Sequence, residues 1–69
     1  MITPELYEIH VTGHICESLG MEFEGLTCRG ETQGRTVLSG LLDQSALYGV
    51  LIKINSLGLK LIAVHQVET

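Results

Sequence analysis

Sixty-nine residues with a formal net charge of −4 make one domain at most, and a chain this short has a marginal core when it stands alone. The four basic residues, Arg29, Arg35, Lys53 and Lys60, are scattered rather than striped, which argues against nucleic acid, and no apolar run reaches the roughly 18 residues of a membrane span. Charged residues make up 17% of the chain and apolar ones 45%, so a small body has little polar surface to wear and self-association is its natural staple.

Residues 1–5 are expected to form a loose end, with Pro4 just ahead of the first periodic segment. Met1 is followed by Ile-Thr-Pro-Glu, with neither the basic start nor the apolar stretch of a secretion signal. The expectation is a cytoplasmic protein in which Cys16 and Cys28 are reduced. Tyr7 to Thr12 then alternates without error. Tyr7, Ile9 and Val11 take one side and Glu8, His10 and Thr12 the other, the pattern of a half-buried strand ended by Gly13.

His14 to Phe23 fits one short helix. Ile15 and Leu19 sit four apart, Cys16 and Phe23 can join their face, and Gly20 weakens the helix by about 1 kcal/mol relative to alanine. Gly25–Gly30 and Arg35–Leu42 read as two strands. The polar Glu31-Thr32-Gln33-Gly34 between them suits a hairpin loop. Leu26 and Cys28 alternate with Thr27 and Arg29, whereas the second strand is apolar on both sides.

Asp43 suits a helix N-cap, accepting from the backbone of Ser45 or Ala46. Leu47, Val50, Leu51, Ile54 and Leu57 then fall on one stripe of a helix, and Gly58 can take the left-handed conformation that closes it. Leu59 to Val67 follows as a strand. Strand, short helix, strand, strand, helix, strand predicts an α+β protein of ferredoxin-like βαββαβ type. Its sheet would be antiparallel, with both helices on one face and the first helix short.

Helices cover one face of such a sheet. On the other face the third and fourth strands would show Val37 and Leu41 or Leu38 and Leu42, and Leu61 and Ala63 or Ile62 and Val64. A contiguous patch of that kind marks an interaction surface. The back of the long helix is a second candidate, because Ser45, Gly49, Ile52 and Ser56 lie opposite the core stripe, with Tyr48 beside Ile52. The expected contact residues are Val37, Leu41, Tyr48, Gly49, Ile52, Ile62 and Val64, with the sheet face favoured over the helix back. Gly49 admits two readings, close approach of another backbone or relief of crowding near the sheet.

Candidate chemistry is sparse. His10, His14, Cys16, Cys28 and His65 are metal-ligand types, and His10 and His65 would approach if the first and last strands were neighbours. Their spacing matches no familiar zinc pattern, so His10, His65 and Cys28 are weak metal candidates and the expectation is no metal and no cofactor. His14 and Cys16, two apart, do not face each other on a helix, and a buried cysteine fits better than a nucleophile. Glu17, Glu22 and Glu24 read as a solvated face. The eight glycines form no phosphate-binding fingerprint.

Gly40-Leu41-Leu42-Asp43-Gln44-Ser45-Ala46-Leu47-Tyr48-Gly49-Val50-Leu51, running into Asn55-Ser56-Leu57-Gly58-Leu59-Lys60-Leu61, resembles a group of small uncharacterised prokaryotic proteins. They share a G-x-x-D-Q-x-A-L-x-G-x-L…L-G-L-x-L pattern. The resemblance covers about the last 30 residues, implies a small αβ protein without an assigned activity, and carries no catalytic residue with it. The functional expectation is therefore a non-catalytic homo-oligomeric interaction or scaffolding module, a dimer first, that can also dock onto another protein. The alternative is a small-molecule-sensing regulatory domain with its ligand at a subunit interface. An enzyme with a site shared between subunits is the weakest reading.

Overall fold

The computed structural model describes residues 3–68. Strand β1 spans Glu5–Thr12. Of the expected loose end, residues 1–2 lie outside the described residues, Thr3 and Pro4 have no regular structure, and Glu5 already belongs to the strand. The alternation read from the sequence sets the strand's two sides. Ile9 and Val11 are fully buried, while Glu8 and His10 are half-buried and Thr12 is exposed.

The expected single helix after β1 is two short pieces, helix α1 (Cys16–Leu19) and a 3-10 helix (Gly20–Phe23). The break falls at Leu19, whose φ of −124° leaves the helical range just before Gly20. Ile15 and Phe23 still reach the core. The hairpin runs from β2 (Thr27–Glu31) to β3 (Arg35–Leu42). Glu31 pairs with Arg35, so the loop is Thr32-Gln33-Gly34, one residue shorter than expected. Gly34 closes it at φ +70°, the left-handed position that a three-residue hairpin loop gives to glycine.

Helix α2 spans Gln44–Ser56, and Asp43 caps it by accepting from the Ala46 N–H at 2.8 Å. Its end is a Schellman motif. The Gly58 N–H donates to the Asn55 carbonyl and the Leu59 N–H to the Ile54 carbonyl, both at 3.1 Å, with Gly58 at φ +74°. Strand β4 (Leu61–Gln66) begins two residues later than the sequence pattern suggests.

The sheet order is β2-β3-β1-β4, and every neighbouring pair is antiparallel. The chain is a small α+β protein with a four-stranded antiparallel sheet and two helices. Residues paired across strands share a face, so the register sorts the side chains. Ile9 opposes Leu38 and Val64, Val11 opposes Thr36, and Cys28 opposes Leu38. Ile15, Phe23, Leu47 and Ile54 pack onto this face, so both helical segments lie on one side. Thr36 is fully buried there. Its hydroxyl donates to the Gly13 carbonyl and accepts from the Ile15 N–H, fastening the turn after β1 to β3.

Cys16 and Cys28 are joined by a disulfide, with Cα atoms 5.8 Å apart. The expectation of two reduced thiols is corrected. The register that turns Cys28 toward the helices also sets it under the first residue of α1.

Candidate functional site

The side of the sheet away from the helices carries Glu8, His10 and Thr12 from β1, and from β3 Arg35, Val37, Ser39 and Leu41. Thr27, Arg29 and Glu31 come from β2, and Ala63 and His65 from β4. It is mostly polar. Within it, Glu8 lies directly opposite His65, and His10 stands two residues along β1 on the same side, opposite Ala63. The small methyl of Ala63 leaves the imidazole of His10 room to lean toward β4.

These three side chains converge. The Nε2 atoms of His10 and His65 are 3.3 Å apart, and Glu8 Oε1 lies 3.6 Å from His10 Nε2 and 3.5 Å from His65 Nε2. The imidazole rings are stacked, with centroids 5.3 Å apart. The His10 side chain is mostly covered, at 15% exposure, and its Nδ1 is buried without a hydrogen-bond partner among the described residues, while His65 is 55% exposed. Three convergent Lewis bases on a solvent-facing sheet can share a proton or hold a cation.

β1 and β4 are neighbours, and the two histidines flagged by the sequence do meet. Cys28 does not join them. It faces the helices on the far edge strand and is tied up with Cys16. His14 is exposed beside Gly30 of β2, also across the sheet. Glu17, Glu22 and Glu24 are exposed, and Glu22 reaches Lys53 of α2 at 3.3 Å. By its alternation alone Glu8 is only part of a wet strand face. The signal that reveals it is Glu-x-His on a strand, which puts a carboxylate and an imidazole on one side.

The expected contact residues separate into two groups. Val37 is fully buried, although it lies on the open side, because β3 is an inner strand and its neighbours close over it. Val64 is half-buried and packs against the core. Val37 offers no surface to a partner in this fold, and Val64 is turned toward the helices. Leu41 of β3 (70% exposed), Ile52 (67%) and Tyr48 (54%) of α2 and Ile62 of β4 (40%) do offer surface, and Gly49 is exposed beside Tyr48 and Ile52. Tyr48 and Ile52 stand together on the outward side of α2, while Leu41 lies toward the end of β3 on the open side of the sheet, so both surfaces carry exposed apolar side chains.

No helix among the described residues is long and apolar enough to cross a membrane. No curated protein and no solved structure matches the chain. The chain belongs to the family described as a domain of unknown function, DUF8691, which it matches over residues 6–65.

Proposed function

We propose that this protein is a non-catalytic interaction or scaffolding module that works as a homo-oligomer, a dimer first, and that its copies meet through the outward side of α2. The observation that carries the reading is Gly49. A glycine inside a helix costs about 1 kcal/mol relative to alanine. A methyl group at this position would meet nothing within 4 Å. Crowding within the fold therefore does not explain its smallness. Gly40 is a useful contrast, since a methyl there would come within 2.6 Å of the Leu26 side chain and 3.3 Å of the Gly25 carbonyl. Ser45, Gly49, Ile52 and Ser56 form one stripe at helical spacing, with Tyr48 at its side. A second backbone approaching at Gly49 would cover Tyr48 and Ile52 and make use of the missing side chain.

The alternative, a small-molecule sensor, has one observation in its favour. A cleft lined by Glu5, Tyr7, Leu42, Gln44, Ser45 and Tyr48 opens beside the same surface, where a ligand between two copies would sit. Under either reading the fold is ferredoxin-like, supported by the strand order and by both helical segments packing on one side. The expected source is prokaryotic and the expected location cytoplasmic. The disulfide argues against the location, because reducing compartments keep such pairs open. A free-thiol count on protein taken directly from cells decides that point.

Sedimentation equilibrium tests the main reading. The unaltered chain should be larger than one copy, and Ile52→Lys should run as a folded monomer, since Ile52 is 67% exposed and supports no core packing. A monomer at every concentration, or an Ile52→Lys variant of unchanged size, overturns it. A specific metabolite that raises the melting temperature would favour the sensor.

A further inference from the structure

We infer that Glu8, His10 and His65 form a binding site for one borderline-soft divalent ion of the Zn²⁺ class, with solvent at the remaining position. The inference does not rest on the oligomer reading, because the open sheet face and the outward side of α2 lie on opposite sides of the molecule. Donor chemistry comes first. Two imidazoles and one carboxylate suit zinc, iron, cobalt, nickel or copper, while calcium and magnesium prefer all-oxygen sets.

The spacing is more selective. A tetrahedral ion with bonds of about 2.0–2.1 Å has ligand–ligand edges of roughly 3.3–3.4 Å, whereas octahedral cis edges at similar bond lengths are nearer 3.0 Å. The three edges here are 3.3, 3.5 and 3.6 Å. They form a triangle that an ion could cap from the solvent side with little side-chain movement. Three protein ligands and one open position is the pattern of an accessible zinc site and not of a closed structural one. The backbone supports the arrangement. Glu8 and His65 are held opposite each other by the β1–β4 ladder, and His10 is fixed by its mostly covered ring.

One feature limits the affinity. An ion on His10 Nε2 requires the proton on Nδ1, which is buried without an acceptor among the described residues. Ligating histidines almost always donate that N–H, and losing such a partner costs about 10- to 100-fold in affinity. The site is therefore expected to bind more weakly than a fully supported zinc centre. The competing account is a proton shared among the same three groups, with no ion involved.

Tag-free protein titrated with Zn²⁺ by calorimetry, and with Co²⁺ by visible absorption, separates the two accounts. The expected result is one ion per chain, an intense low-coordinate Co²⁺ spectrum, and a melting temperature raised by Zn²⁺. His65→Ala should weaken binding by well over the 10- to 100-fold of a lost supporting partner. This variant should stay folded, because the His65 side chain is 55% exposed, and circular dichroism checks it. Glu8→Gln, nearly the same in shape, should also weaken binding, while His14→Ala should leave it unchanged. Absence of saturable binding, or binding that survives His65→Ala, overturns the inference.

Discussion

Gly58 and Asp43 show how single residues punctuate this chain. Each acts on a backbone a few residues away, so each role was readable from local sequence. Gly58 sits at φ +74° and closes the Schellman motif. Gly58→Ala forces a side chain into the left-handed region and should lower stability by about 1 kcal/mol or slightly more. In urea the midpoint should fall by about 1 M, since a protein of this size has a slope near 1 kcal/mol per M. Thr36 is the opposite case. Its hydroxyl serves Gly13 and Ile15, residues 23 and 21 positions away. Nothing near Thr36 in the sequence announces that pairing. Thr36→Val keeps the shape but takes the partner from a part-buried carbonyl and a buried N–H, and should cost about 1–3 kcal/mol by the same urea measurement. A loss no greater than that of an ordinary surface substitution would mean that water takes over both groups.

Among the elements, those with a strong period were legible and those held by distant contacts were not. β1 and α2 carry uninterrupted patterns of two and about 3.6 residues, and both form as the pattern demands. The segment from Cys16 to Phe23 has only eight residues and a glycine within it, too little to sustain one helix, so tertiary contacts decide its path. The Cys16–Cys28 bridge is one of those contacts. It ties α1 to β2, an edge strand that among the described residues pairs only with β3. Closing a loop across a separation of 12 residues is worth roughly 3 kcal/mol in the chain-entropy view. Cys16→Ser combined with Cys28→Ser should lower stability by about that amount. The loss should also be local, with hydrogen exchange accelerating first in β2 and in the 16–23 segment while β1 stays protected. Uniform acceleration across the sheet would instead make the bridge a global staple. Register explains the misplaced surface residues as well. The apolar pairs of β3 and β4 could be assigned to either side from sequence, and only the pairing partners show that Leu38 and Val64 face the helices.

At the scale of the whole molecule, two sides of unlike character stand back to back. The open sheet face gathers Glu8, His10 and His65 from opposite ends of the chain, a meeting that sequence could raise only as a condition on strand order. The outward side of α2 presents Tyr48, Gly49 and Ile52 on one element, which helical spacing reveals without any topology. Gly49 offers a test whose sign depends on the assembly. If the chain works alone, Gly49→Ala replaces the poorest helix former after proline in open space and should raise stability by up to about 1 kcal/mol. For a domain of this size that is roughly 4–8 °C in melting temperature. If copies meet at this surface, the added methyl stands between two backbones and should lower the melting temperature instead. The assembly also makes melting depend on concentration, because unfolding then separates the copies. With entropy scaled to the 69 residues of each chain, tenfold dilution of a dimer should lower the midpoint by roughly 5 °C. Calorimetry on the unaltered chain and on Gly49→Ala at two concentrations a decade apart reads both effects. A dilution-sensitive parent with a destabilised variant supports pairing through α2. A dilution-insensitive parent with a stabilised variant rejects it and leaves Tyr48 and Ile52 as ordinary solvent-facing residues.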